Sequence, residues 1–281
     1  MLVLACIPAL ELGQAAAEDK MAILNLTQDG AVAHLEMNAP ERLNALSDEM
    51  IAALHAELDA LAQTPDCRVV ILSGAGKAFC AGHDLRQMQA MRKASDAGAA
   101  EFKDLFDRCT ALMARIQSLP QPVIAQVHGI ATAAGCQLVA TCDLAVAASD
   151  TRFGVNGVNI GLFCSTPMVA LTRNIAAKKA FEMLVTGDFI TAERAQDYGL
   201  INRVAPLESL QSETSAFAQQ IAGKLGSAVR IGKRAFYDQI ALSTPDAYAH
   251  TGRVMVENLA NTDTHEGMQA FIEKRNPKWT Q

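Results

Sequence analysis

The stretch PQPVIAQVHGIATAAGCQLVATCD, residues 120–143, decides how the chain is organised. Two prolines break whatever helix precedes it, and the apolar run VIAQV has the length and branching of a buried strand. A turn of small residues, GIATAAG, then feeds a helix that runs towards Asp143. A strand that enters a helix through a small-residue turn is the unit of an α/β fold. The first N–H groups of such a helix have no partner inside it and carry partial positive charge. An acid would be useful on this platform, yet position 137 is Gln and the next carboxylate is Asp143.

The pattern extends in both directions. AILNL (22–26) and AVAHLEM (31–37) flank the turn TQDG and predict a hairpin. Ser47 is a natural N-cap for a helix over 48–63, whose apolar residues at 50, 51, 54, 58 and 61 share one face. RVVIL (68–72) predicts a short buried strand, a helix is expected over about 100–118, and DLAVAA (143–148) predicts another strand. Alternating strands and helices favour parallel pairing. After about residue 206 four consecutive helices are expected, over 207–225, 229–242, 245–261 and 264–274.

Bulk properties exclude several classes. The 281 residues are half hydrophobic and 19% charged, which marks a globular chain. A net charge of −6 and few aromatics argue against nucleic acid as a partner. Seven scattered cysteines without a CxxC read as reduced buried thiols, so a reducing compartment is expected and a structural metal is not. Residues 1–20 lack any Lys or Arg before Lys20 and carry three acids, which speaks against a signal or transit peptide. They read as an extension ahead of a core beginning near Met21, and the expected location is cytoplasmic, with the mitochondrial matrix as the alternative. No run is apolar enough to span a membrane.

Two loops are candidates for chemistry: KAFCAGHDL (77–85) and GIATAAGCQ (129–137). Each follows a strand, is rich in small residues and opens a helix, and each offers a backbone N–H to a developing oxyanion. Asp84 is placed to cap the helix that starts at Leu85. GAGK (74–77) lacks the spacing of a phosphate loop.

Together with MNAPERLNALS (37–47), FGVNGVNIG (153–161) and ITAERAQDYGLINRV (190–204), these loops resemble the crotonase superfamily, the enoyl-CoA hydratase/isomerase family. The motifs occur in the family's order from Met21 onwards. The resemblance implies an α/β spiral of ββα units over 21–205 and a C-terminal helical region over 206–281 that builds homotrimers, often paired into hexamers. It implies an acyl-CoA thioester as substrate, with coenzyme A as part of the substrate and no other cofactor. By the same resemblance the oxyanion N–H groups are those of His83 and Ala134, the ring of His83 merely lining the site. Arg42, Lys77, Arg86 and Lys274 are candidates to face the phosphates of coenzyme A. Leu43, Ala45, Ala81, Asp84, Leu85, Gly135 and Gly157 join them as substrate-binding positions.

The chain departs from the family at two decisive positions. Typical hydratases hold glutamates where this chain has Gln137 and Gly157. From Arg108 to Phe181 the only carboxylates are Asp143 and Asp150. A carboxylate shuttles protons, whereas an amide only orients, and a positioned acid or base contributes about 100- to 10,000-fold. Ordinary two-glutamate hydration is therefore not expected. Glu101 or Asp104 of the preceding helix are substitutes if they reach in. Gln137 would fix a water or a polar group of the substrate, and Asn156, Asn159, Cys164, Ser165 and Thr166 would add neutral hydrogen bonds. LFCSTP (162–167) with Gln137 resembles one subgroup of the family, whose name says little about its reaction. Three readings stand: an enzyme on acyl-CoA with an unusual proton-transfer group, a decarboxylase of malonyl-type thioesters, or an acyl-CoA-binding protein without catalysis.

Overall fold

The computed structural model describes residues 22–280, so the extension assigned to residues 1–20 lies outside the described residues. The strands are β1 (Leu24–Asp29), β2 (Val32–Met37), β3 (Val69–Gly74), β4 (Val123–Val127), β5 (Ile130–Thr132), β6 (Leu144–Ala148), β7 (Arg152–Gly154), β8 (Ile190–Thr191) and β9 (Arg203–Ala205). The helices are α1 (Asp48–Ala62), α2 (Leu85–Met91), α3 (Ala99–Ser118), α4 (Ala134–Thr141), α5 (Ser165–Asn174), α6 (Ala177–Thr186), α7 (Ala192–Tyr198), α8 (Leu210–Ala222), α9 (Gly226–Gln239), α10 (Thr244–Leu259) and α11 (Thr262–Ile272).

Six strands form one sheet in the order β1-β2-β3-β4-β6-β9. The β1–β2 hairpin is antiparallel, and every later pairing in this sheet is parallel. The strands β5, β7 and β8 make a second sheet. The chain alternates between the two: β4 then β5 then α4, and β6 then β7 then α5. Each of these two turns leaves one strand in each sheet before the chain enters a helix.

Parallel strands are buried on both faces, and the side-chain period of two sorts their residues. In β3, Val70 and Leu72 enter the main core, where they meet Leu54 and Leu58 of α1 and Leu112 and Ile116 of α3. Val69 and Ile71 point the other way, with Ile124 and Val146, onto Ala218 and Ala222 of α8. The first of the C-terminal helices thus closes the back of the sheet.

Local signals set the helix ends. Ser47 caps α1 by accepting from the N–H of Met50 at 3.2 Å. The α3 helix ends at Ser118, just ahead of the break read from LPQP. Helix α9 is fastened to the core by a buried cluster. Lys233 Nζ donates to Asp143 Oδ2 at 2.7 Å and to the carbonyls of Ile116 and Gln121, and Tyr237 donates its hydroxyl to Asp143 Oδ1 at 2.8 Å.

Candidate functional site

Single backbone bridges extend the second sheet towards the N-terminus of the chain. Cys80 pairs with Ala131 of β5, and Leu46 pairs with His83. This row lays the loop before α2 beside the turn before α4. Asn44 holds the neighbouring segment: it is fully buried, and its side-chain amide donates to the carbonyls of Ala75 at 2.9 Å and Ala78 at 2.8 Å. Its Oδ1 accepts from the N–H of Ala39 at 2.9 Å. Asp84 caps α2 as read from the sequence, its Oδ1 accepting from the N–H of Arg86 at 2.8 Å.

The two small-residue loops touch. Gly82 sits at φ +92°, and a Cβ added there would lie 2.9 Å from Ala133 Cβ and 3.3 Å from the nitrogen of Ala134. Ala133 itself adopts φ +50°, ψ −119°, a conformation that costs a non-glycine residue energy and is sustained by its surroundings. Its N–H donates to the carbonyl of Gly154 at 2.9 Å, which leaves Ala134 as the first helical residue. Neither the N–H of His83 nor that of Ala134 donates to an acceptor among the described residues.

Both residues line a cavity of about 450 Å³. Its walls come from the loop before α2 (Ala81, His83, Leu85), Phe106 of α3, Thr132 and Ala133, the turn Asn156–Ile160, and the segment 162–167. Among the described residues no carboxylate lines it, and the only titratable side chains in its wall are His83 and Cys164. Burial lowers the His83 pKa below the ordinary histidine value, so the ring is neutral at pH 7. Its Nδ1 lies 3.4 Å from the Leu46 carbonyl, the ring packs edge-on to Phe106 at 5.6 Å, and Nε2 is shut away from solvent without a partner. Burial also raises the Cys164 thiol, which keeps its proton. Thr132 donates its hydroxyl to Asn156 Oδ1 at 2.6 Å. That bond fixes the Asn156 amide and leaves its NH2 as a donor.

All five neutral residues singled out in the sequence, Asn156, Asn159, Cys164, Ser165 and Thr166, line this cavity, as does Gly157. Glu101 and Asp104 do not reach it. They border a separate depression beside Asp48, and Asp104 is engaged by Arg108 Nε at 2.7 Å. Gln137 lies on α4 at 5% exposure and lines no wall of the cavity, its Oε1 buried without a partner. Gly135 packs behind Ala134, where a Cβ would meet the Cys80 carbonyl at 2.2 Å. Gly157 has a similar constraint: a Cβ there would lie 2.3 Å from the Leu162 carbonyl and 2.8 Å from Cys164 Sγ.

A second depression of about 280 Å³ adjoins the first and shares Ala81, His83 and Leu85 with it. It gathers Arg42, Leu43, Ala45, Asp84 and Arg86. Arg42 Nη1 lies 3.8 Å from Asp84 Oδ2 with its side chain half exposed. Lys77 and Lys274 border neither space. Thr132, Phe106 and Met88 line the cavity without having been legible as site residues. The one hint was that Thr132 sits within the small-residue turn.

The family description "enoyl-CoA hydratase/isomerase" matches residues 27–281. The chain is 47% identical over 255 residues to enoyl-CoA hydratase domain-containing protein 3, mitochondrial, of Xenopus laevis, covering 91% of this chain and 85% of that protein. The human protein of the same name is 41% identical, with 89% and 80% covered. Among solved structures, an enoyl-CoA hydratase from Mycobacterium smegmatis superposes with a TM-score of 0.89 at 49% identity, covering 92% of this chain and all (100%) of that one. The human domain-containing protein 3 superposes at 0.87 with 40% identity, covering 92% and 100%. These relatives bear out both the crotonase-like spiral and the subgroup suggested by LFCSTP and Gln137. The chain belongs to the enoyl-CoA hydratase/isomerase family.

Proposed function

We propose that this chain is an enzyme on acyl-CoA thioesters that stabilises a thioester enolate between the N–H groups of His83 and Ala134. The observation that supports the reading is the contact of the two loops at Gly82 and Ala134, which brings His83 and Ala134, whose N–H groups have no acceptor among the described residues, to one cavity. Preorganised donors of this kind are worth about 100- to 1,000-fold each, because they cost no reorganisation when charge develops. The adjoining depression with Arg42 and Arg86 suits the coenzyme A moiety.

Ordinary hydration by two glutamates does not fit a cavity without a carboxylate. That observation favours decarboxylation of a malonyl-type thioester, in which departing CO2 supplies the carbanion and no base is needed. Binding without turnover is the competing reading.

Two measurements test the proposal. The purified protein is incubated with 2-enoyl-, 3-enoyl-, 3-hydroxyacyl- and malonyl-type CoA thioesters, and products are read by chromatography with mass detection. Loss of CO2 is the expected change, and no change in any thioester that binds would sink the enzymatic reading. The carbonyl stretch of a bound, isotope-labelled thioester is expected to fall relative to solution. An unshifted carbonyl would remove the assignment of His83 and Ala134. This readout is preferred to Ala134→Pro, since a residue preceding proline cannot keep the conformation of Ala133.

The C-terminal helices are proposed to make the subunit contacts of a trimer or hexamer. Tyr248, Val256, Phe271 and Ile272 there are large, apolar and more than two-thirds exposed, Phe271 at 85%. Sedimentation velocity of the wild-type chain decides this, a monomer overturning it. The mitochondrial designation of the vertebrate relatives supports the matrix alternative over the cytoplasm.

A further inference from the structure

The place of the missing second acid is filled. A side chain at 157 would run into the Leu162 carbonyl at 2.3 Å and Cys164 Sγ at 2.8 Å. The Leu162 backbone and the Cys164 thiol therefore occupy the space into which a side chain at residue 157 would project. Of the two titratable side chains in the cavity wall, His83 has its free nitrogen closed off from solvent. Cys164, at the cap of α5 and 6% exposed, is the other. Gln137, in the place of the first acid, is not in the wall. Cys164 is thus the titratable group of the wall that is left to release a proton to a bound enolate.

We propose that the Cys164 thiol protonates the α-carbon of a thioester enolate formed by loss of CO2 from a malonyl-type acyl-CoA. The inference rests on the enolate reading given above. The bond between the α-carbon and the carboxylate breaks, and its electron pair moves into the enolate held by the N–H groups of His83 and Ala134. CO2 leaves. The S–H bond of Cys164 then breaks as the enolate pair forms a new C–H bond, and the thiolate regains a proton from water. No oxidant, reductant or second substrate enters. A thiol held protonated by burial is suited to this step and unsuited to nucleophilic attack, which requires the thiolate.

The test compares wild type with Cys164→Ser and Cys164→Ala on an alkylmalonyl-CoA in D2O. The observables are kcat, KM, and the configuration of the deuterium-labelled α-carbon. Wild type is expected to place deuterium on one face only. Cys164→Ala is expected to lose about 100-fold or more in kcat with KM unchanged, as removal of a general acid does, and to give a racemic product. Cys164→Ser retains a hydroxyl at the same place and is expected to fall between the two while keeping one configuration. A merely structural cysteine would change KM or folding and leave the configuration intact. An active wild type with Cys164→Ala equal to it in rate and configuration overturns the role of Cys164 alone. An inert wild type that binds the thioester overturns both the enolate reading and the proton donor.

Discussion

Gly157 shows what one residue decides. In sequence it looks like a lost glutamate that one substitution would restore. In space the Leu162 carbonyl and the Cys164 thiol fill the volume that a side chain needs. A carbonyl belongs to the backbone and cannot rotate aside, so the segment 161–164 would have to move. Gly157→Glu is therefore expected to destabilise the chain by about 1–3 kcal/mol, as overpacking does, and to confer no hydration of a 2-enoyl-CoA, even combined with Gln137→Glu. Urea midpoints and the thioester panel check both halves. A stable double variant that adds water would show that the segment yields. Asp84 and Ser47 were legible because a cap is a local contact, complete within three residues. Asn44 was not, because two of its three partners, the carbonyls of Ala75 and Ala78, lie 31 and 34 residues further along the chain.

Among elements, α9 shows how the C-terminal helices are joined to the spiral. Its Lys233 and Tyr237 converge on Asp143, which also accepts from the N–H of Val123 at 2.6 Å. Each side-chain partner is satisfied, so the cluster is stable only as a whole. Lys233→Met would leave the part-buried Asp143 carboxylate without its cation and is expected to cost about 3–5 kcal/mol. Tyr237→Phe, which removes one of three donors, is expected to cost about 1–2 kcal/mol. Denaturant titrations of the two variants give the comparison, and equal losses would contradict it. The sequence placed the long strands and the four C-terminal helices within a few residues, since hydrophobic period is a local signal. It offered no reading for helices α5 to α7 or for strands β5, β7, β8 and β9. These elements are two to ten residues long, and the strands are too short to display a period.

At the scale of the whole molecule, histidines whose pKa values burial lowers are expected to couple stability to pH. His34, whose Nε2 lies 2.9 Å from Ser73 Oγ, and His83 both have pKa values lowered by desolvation. The folded chain then binds fewer protons than the unfolded one around pH 6, so this contribution is complete above about pH 6.5 and is lost as pH falls below it. The urea midpoint is expected to drop between pH 7.5 and 5.5, a window above the titration of ordinary carboxylates. His34→Gln is expected to flatten that drop, and an unchanged slope would remove His34 from the explanation.

Sequence alone determined the alternation of strand and helix, the two small-residue turns, the absence of both glutamates and the family. Each follows from residue identity and short-range spacing. Tertiary structure decided the rest. Parallel pairing of β3 with β4, and of Cys80 with Ala131, brings His83 beside Ala134 although distant residues carry them. The same packing buried Gln137 away from the cavity, kept Glu101 and Asp104 outside it, and turned Cys164 into its wall. Those outcomes depend on sheet register and on which atoms fill a given volume, and neither is encoded in the spacing of residues along one segment.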